Sequence, residues 1–413
     1  MKNLDFGRYA LSTCAAVALL EGCSQSQPPI GAPDATPQGA GRVNGAYAQE
    51  RAPQSVVGPN ALVEFAYVTY TNSNHVSAYR INATSGALTQ VRGSPFRAGT
   101  SPGDVAVDPA GTFAYVTNSD SNNISAYRIN ATSGALAQVK GSPFKAGIGP
   151  LGVAADPTGK FIYVTNLGYG TFFPGNVFAY RVNATSGALK QVKGSPFRAA
   201  TTPYNVVVDP TDRFAYVINV LSNNVSAFAI NARSGALTQV TGSPFGAGDY
   251  TDGMAVAPNG KFLYVSNMGS NNVSAYTIDA TSGALTRVKG SPFGAGTYPW
   301  DVGVDPTGKF AYVANDGSDN VSAYTINATS GALTPVNGSP FEASSDPLGV
   351  AVDPTGRFAY VTNNGSTDVS AYTIDTASGA LTQVKGSPFE VGTWPYAIAT
   401  CRVKAGKCIP TPL

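Results

Sequence analysis

The chain has 413 residues, enough for one large repetitive domain, and a formal net charge of +2 with 12% charged residues. That balance excludes nucleic-acid or membrane-surface binding by bulk electrostatics. Its 46 glycines, 29 prolines and 21 tyrosines describe a turn-rich all-β protein, and no run of 18 apolar residues follows the N-terminal segment.

Residues 1–23 read as a targeting segment. Lys2 and Arg8 give a weakly positive start, and residues 9–20 form an apolar stretch too short to span a bilayer. Leu20-Glu21-Gly22-Cys23 resembles the cleavage box of bacterial lipoproteins, with Cys23 as the lipidated residue. Glu21 stands where that pattern has a small or apolar residue, so ordinary signal cleavage is the alternative. Either way the protein is expected to leave the cytoplasm for the cell envelope or the exterior, touching a membrane only through a lipid anchor. Residues 24–60, rich in Pro, Gln, Ala and Gly, read as a flexible tether.

From Phe65 onward one segment recurs seven times: Phe-Ala-Tyr-Val-Thr-Asn, Asn-Val-Ser-Ala-Tyr, Ser-Gly-Ala-Leu-Thr-Gln-Val and Gly-Ser-Pro-Phe, with substitutions. The anchors Phe65, Phe113, Phe161, Phe214, Phe262, Phe310 and Phe358 are spaced 48, 48, 53, 48, 48 and 48 residues apart. Short strands at a period in this range predict a seven-bladed β-propeller with four antiparallel strands per blade. In the second copy strand A is expected over 105–107, B over 113–117, C over 124–129 and D over 135–139. The Asp-Pro-Ala-Gly turn at 108–111 joins A to B.

Strand A precedes copies two to seven but not Phe65, whereas residues 394–400 align with it. The C-terminus is therefore expected to supply the inner strand of the first blade and close the ring, with the propeller spanning 61–400. In the tail, 401–413, Cys401 and Cys408 are the expected disulfide of an exported chain.

The Tyr-Val-Thr-Asn core at Tyr115 to Asn118, its cognates and the blade count resemble the YVTN-repeat propellers of the lactonase-like superfamily. The resemblance covers about residues 61–400. It implies hydrolysis of a sugar lactone such as 6-phosphogluconolactone, or a related cyclase chemistry. Relatives are taken to use His, Arg and Glu near the central channel; no such His is present, so no catalytic residue transfers.

The A–B and C–D turns on one face of the disk are monotonous, while the B–C and D–A loops on the other carry the variation. Two columns before strand A change most: Ser101, Gly149, Thr202, Tyr250, Tyr298, Asp346, Trp394, and Gly103, Leu151, Tyr204, Asp252, Trp300, Leu348, Tyr396. Beside them stand Asp104, Asn205 and Asp301. Both columns are expected to ring the channel mouth, where aromatic faces and carboxylates suit a sugar or similar ligand.

The extra five residues fall in the loop 167–176, where Tyr169, Phe172 and Phe173 are expected to overhang the same face as a lid or a packing plug. His75, the single histidine, reads as a bystander. The Gly-Thr-Ser-Pro-Gly stretch at 99–103 matches a nucleophile-elbow pattern without its strand-to-helix setting. The Asn column from Asn118 to Asn363 reads as turn scaffold. No cofactor or metal is implied, and the chain is expected to be a monomer. Three readings follow: a module binding a small molecule, a glycan or a cell-envelope protein; a sugar-lactone hydrolase; and a purely structural surface repeat.

Overall fold

The computed structural model describes residues 63–168, 175–404 and 407–410. The targeting segment with Cys23, the tether, and the loop residues Tyr169, Phe172 and Phe173 lie outside the described residues. Residues 62–413 form one compact unit.

Seven sheets stand around a ring, each ordered A-B-C-D. In the second blade strand A is Pro102–Val107, B is Phe113–Asn118 and C is Asn123–Ile129. Strand D departs from expectation. It is split into Leu136–Gln138 and Phe144–Lys145, which pair with opposite ends of strand C. The cause lies in Gly-Ser-Pro-Phe. Between the two pieces the Ala126 N–H donates to the Ser142 hydroxyl, 2.9 Å, because the Ser-Pro segment leaves the backbone ladder there. The seven serines of this motif all accept the same bond.

The repeated Phe-x-Tyr of strand B joins neighbouring blades. Phe65 is wholly buried, and a Cβ added to Gly134, in the second blade's Ala-Thr-Ser-Gly turn, would lie 2.4 Å from its ring. The Tyr67 hydroxyl donates to the Gly134 carbonyl, 3.2 Å. Glycine there serves both a φ of +77° and this close approach. The same pair of contacts runs round the ring to Phe358 and Tyr360, which dock on Gly86 of the first blade.

The first blade takes strands B, C and D from the N-terminal side and strand A, Pro395–Lys404, from the C-terminus. Strand Lys407–Pro410 extends this sheet, and Cys401 is disulfide-bonded to Cys408. The Cys408 N–H donates to the Gly111 carbonyl, so the tail lies on the A–B turn of the second blade. That turn has Ala110 where four others have Thr.

Candidate functional site

Adjacent A strands pack against one another around the channel. Near its start, each A strand carries a β-bulge. In the second blade Pro102 pairs with Asn118 and Val105 with Val116, so three steps on one strand oppose two on the other. The same shift occurs in all seven blades. An extra residue in the ladder interrupts the ordinary alternation of faces. Two successive positions thereby reach the channel mouth, where twelve residues line a cavity of about 430 Å³ including its open end.

One of those positions contributes from every blade: Asp104, Gly152, Asn205, Gly253, Asp301, Gly349 and Ala397. Polar side chains alternate with glycine for steric reasons. A Cβ on Gly152 would come within 2.7 Å of the Tyr204 carbonyl oxygen, and one on Gly349 within 2.7 Å of that of Tyr396. The preceding position adds Leu151, Tyr204, Asp252, Trp300 and Tyr396.

The other expected column stands elsewhere. Ser101, Gly149, Thr202, Tyr250, Tyr298, Asp346 and Trp394 all have left-handed backbones, φ between 50° and 63°. Their side chains therefore leave the alternation that would have aimed them at the channel. Cβ atoms on Gly269 and Gly317 would lie 2.9 and 2.5 Å from the rings of Tyr250 and Tyr298, so these tyrosines cover B–C loops. Tyr250 and Trp394 are 41% and 46% exposed. None of the three lines the cavity, a correction to the expectation that both columns ring the mouth.

His75 is exposed at the start of a strand C, opposite Arg97. The Ser101 hydroxyl donates to Asp120, 2.5 Å. The Asn column ties loops together: Asn118 accepts from the Gly99 N–H, 3.0 Å, and donates to Asn123 and Ser125.

Sequence reasoning missed a row of hydroxyl clasps that sets the cavity wall. On strand B, Thr165 donates to the Tyr204 carbonyl at 2.6 Å, Ser266 to that of Trp300 at 2.5 Å, and Thr362 to that of Tyr396 at 2.8 Å. Ile218 and Ala314 occupy this position in the two blades whose neighbours present Asp252 and Leu348. The signal was available in the Thr of Tyr-Val-Thr-Asn, read only as scaffold.

The carboxyl groups differ in their bonding. Asp104 accepts from the N–H groups of Val105, 2.7 Å, and of Val153 in the next blade, 3.0 Å. Asp301 repeats this with Val302, 2.8 Å, and Val350, 3.1 Å. Burial raises Asp104 to about 6 and Asp301 to about 7 against the pull of those bonds. Asp252 is 5% exposed and its Oδ1 has no hydrogen-bond partner. Burial, then the charges of Asp301 and Asp316, push it well above the usual carboxylate range.

Tyr204 and Tyr396, from the fourth and first blades, share a hydrogen bond between their hydroxyls. Trp300 meets the Tyr396 ring edge-on, centroids 6.4 Å apart at 84°. None of the twelve lining residues is Lys, Arg or His. Among the described residues no group of three or more His, Cys, Asp or Glu is placed to hold a metal ion.

These features define a closed seven-bladed propeller with a carboxyl- and aromatic-lined cavity at one end of its channel. The family described as lactonase, 7-bladed beta-propeller, matches residues 58–147 and 152–346, and the chain belongs to that family. No curated protein matches the chain. Among solved structures it is similar to a Bacteroides fragilis protein assigned as a 6-phosphogluconolactonase, at 20% identity and TM-score 0.70, covering 86% of this chain and 100% of that one. It is also similar to PpgL, the periplasmic gluconolactonase of Pseudomonas aeruginosa, at 18% identity and TM-score 0.68, covering 82% and 99%. A Lactobacillus plantarum protein matches at 19% identity and TM-score 0.67, with the same coverage as PpgL. At these identities the likeness is one of fold.

Proposed function

We propose that the channel mouth binds an uncharged polyhydroxylated ring, a sugar or sugar lactone. The observation that carries this is the pairing of an aromatic wall, Trp300 and Tyr396, with three carboxyl groups in a cavity lined by no cationic side chain. Ring C–H faces stack on indole, and hydroxyls donate to Asp104 and Asp301. A phosphorylated ligand would bring its charge to three acids with nothing to neutralise it. Family membership and the gluconolactonase neighbour favour the lactone among such rings.

In the same reading the protein acts outside the cytoplasm, held by lipid at Cys23. Calorimetry of the 61–413 chain with glucono-1,5-lactone, D-glucose and D-glucose 6-phosphate tests the binding. The two neutral rings bind and the phosphate does not; equal or preferential binding of the phosphate overturns the reading. Labelling of cells with an alkynyl fatty acid tests the anchor, since Cys23→Ser then abolishes the label.

A further inference from the structure

We propose that Asp252 and Asp301 are the general acid and general base of a hydrolytic lactone-opening reaction in this cavity. The inference rests on the ring-binding reading above. Asp252 is the acid because it lines the cavity while more than nine-tenths buried, and its buried Oδ1 has no hydrogen-bond partner to hold the group as a carboxylate. Its blade is also exceptional: Thr251 replaces the proline that opens the other six A strands, and Ile218 replaces the neighbouring clasp hydroxyl. Asp301 is the base because it stands beside the acid. A Cβ on Gly253, the residue after Asp252, would lie 2.5 Å from Asp301 Oδ1.

The charge of Asp301 opposes ionisation of Asp252 in the shared cavity, so one holds its proton while the other is a carboxylate. The deeper, unbonded Asp252 keeps the proton. Asp301, held by two backbone N–H groups, is the one that ionises near neutral pH.

The reaction then balances. Asp301 takes a proton from water as the water oxygen bonds to the acyl carbon, and the carbonyl π pair moves to its oxygen. When that pair returns, the bond from the acyl carbon to the ring oxygen breaks, and Asp252 gives its proton to the departing oxygen. The product is the open hydroxy acid. Proton transfer from Asp301 back to Asp252 restores the pair.

The test measures hydrolysis of glucono-1,5-lactone and galactono-1,4-lactone by pH-stat above the spontaneous rate. Binding of 1,5-anhydroglucitol, which cannot be hydrolysed, is measured by calorimetry on the same protein. Asp252→Asn and Asp301→Asn are each expected to lower kcat roughly 100-fold or more, a far larger loss than either causes in anhydroglucitol affinity. The wild-type pH–rate profile is expected to be bell-shaped, with Asp301→Asn removing its rising limb. Binding of anhydroglucitol without lactone turnover, turnover surviving in either Asn variant, or a flat wild-type profile overturns the acid–base assignment alone. Absence of anhydroglucitol binding overturns the ring-binding reading itself. The wild-type profile needs no variant to fold, so the assignment remains testable whatever the substitutions do to stability.

Discussion

The carboxylate of Glu64 faces the guanidinium of Arg402 across the seam of the ring, 4.0 Å from Oε1 to Nε, on directly paired residues of the two strands that close it. Other copies carry Thr, Lys or Arg at the Glu64 position. Glu64 is fully buried and neither of its oxygens accepts a hydrogen bond. Burial first, and then Asp353, raise its carboxyl from 4.5 to about 7, against the pull of Arg357 and Arg402. The seam therefore holds a group that is uncomfortable when charged.

A folded-state value above the unfolded one means that stability contributed by protonated Glu64 is present below about pH 4.5. It is lost as pH rises to about 7, on the order of 3 kcal/mol. Glu64→Gln is expected to raise Tm by several degrees at pH 8 and change it little at pH 5. Thermal melts at the two pH values check this, and equal shifts at both would remove the titration from the account.

Asp252 obeys the same sign. Its value is raised by folding, so ionisation destabilises the native ring as pH rises through it. Asp252→Asn is expected to stabilise more at pH 8 than at pH 5, measured as the difference in denaturant midpoint. The effect adds to that of Glu64→Gln, since the two groups share no partner among the causes of their shifts.

Trp300→Ala is expected to weaken ring binding roughly fivefold, in line with about 1 kcal/mol for an aromatic contact. Trp300→Phe restores most of it. Thr362→Val, which removes the clasp on the Tyr396 carbonyl, costs about 1 kcal/mol of stability and loosens binding without touching the ligand. Calorimetric titration of the three variants beside wild type separates stacking from positioning.

Reducing the Cys401–Cys408 bond is expected to cost roughly 2–3 kcal/mol in the loop-entropy account. Gly111→Ala tests where the tail lies, because a Cβ there would be 1.9 Å from the Cys408 carbonyl oxygen. Its cost should fall in a chain ending at Lys404, where only the strain of a φ of +61° remains. Equal cost in both chains would place the tail elsewhere.

The ring was legible because its information is periodic. Phe-x-Tyr on strand B, glycine in the C–D turn and the missing first A strand each state one part of the closure. The site was legible only in part. Residues 101 and 103 look like members of one strand face, and period-two reasoning aims both at the channel. The left-handed backbone at Ser101 and the bulge before Val105 defeat that reasoning and bring residues 103 and 104 of each copy's pattern to the mouth instead. Neither device has a residue signature when Ser, Thr, Tyr, Trp and Asp, as well as glycine, are held in the left-handed position. The split of strand D was hidden likewise, because a serine hydroxyl substitutes for a backbone acceptor.

The stretch of chain that repeats and the sheet that folds are out of phase: each copy supplies three strands to one blade and the inner strand to the next. A copy is therefore interchangeable while a blade is not. A gene that gained or lost one 48-residue copy by unequal crossing-over would still encode Glu64 opposite Arg402 and the Cys401–Cys408 clasp.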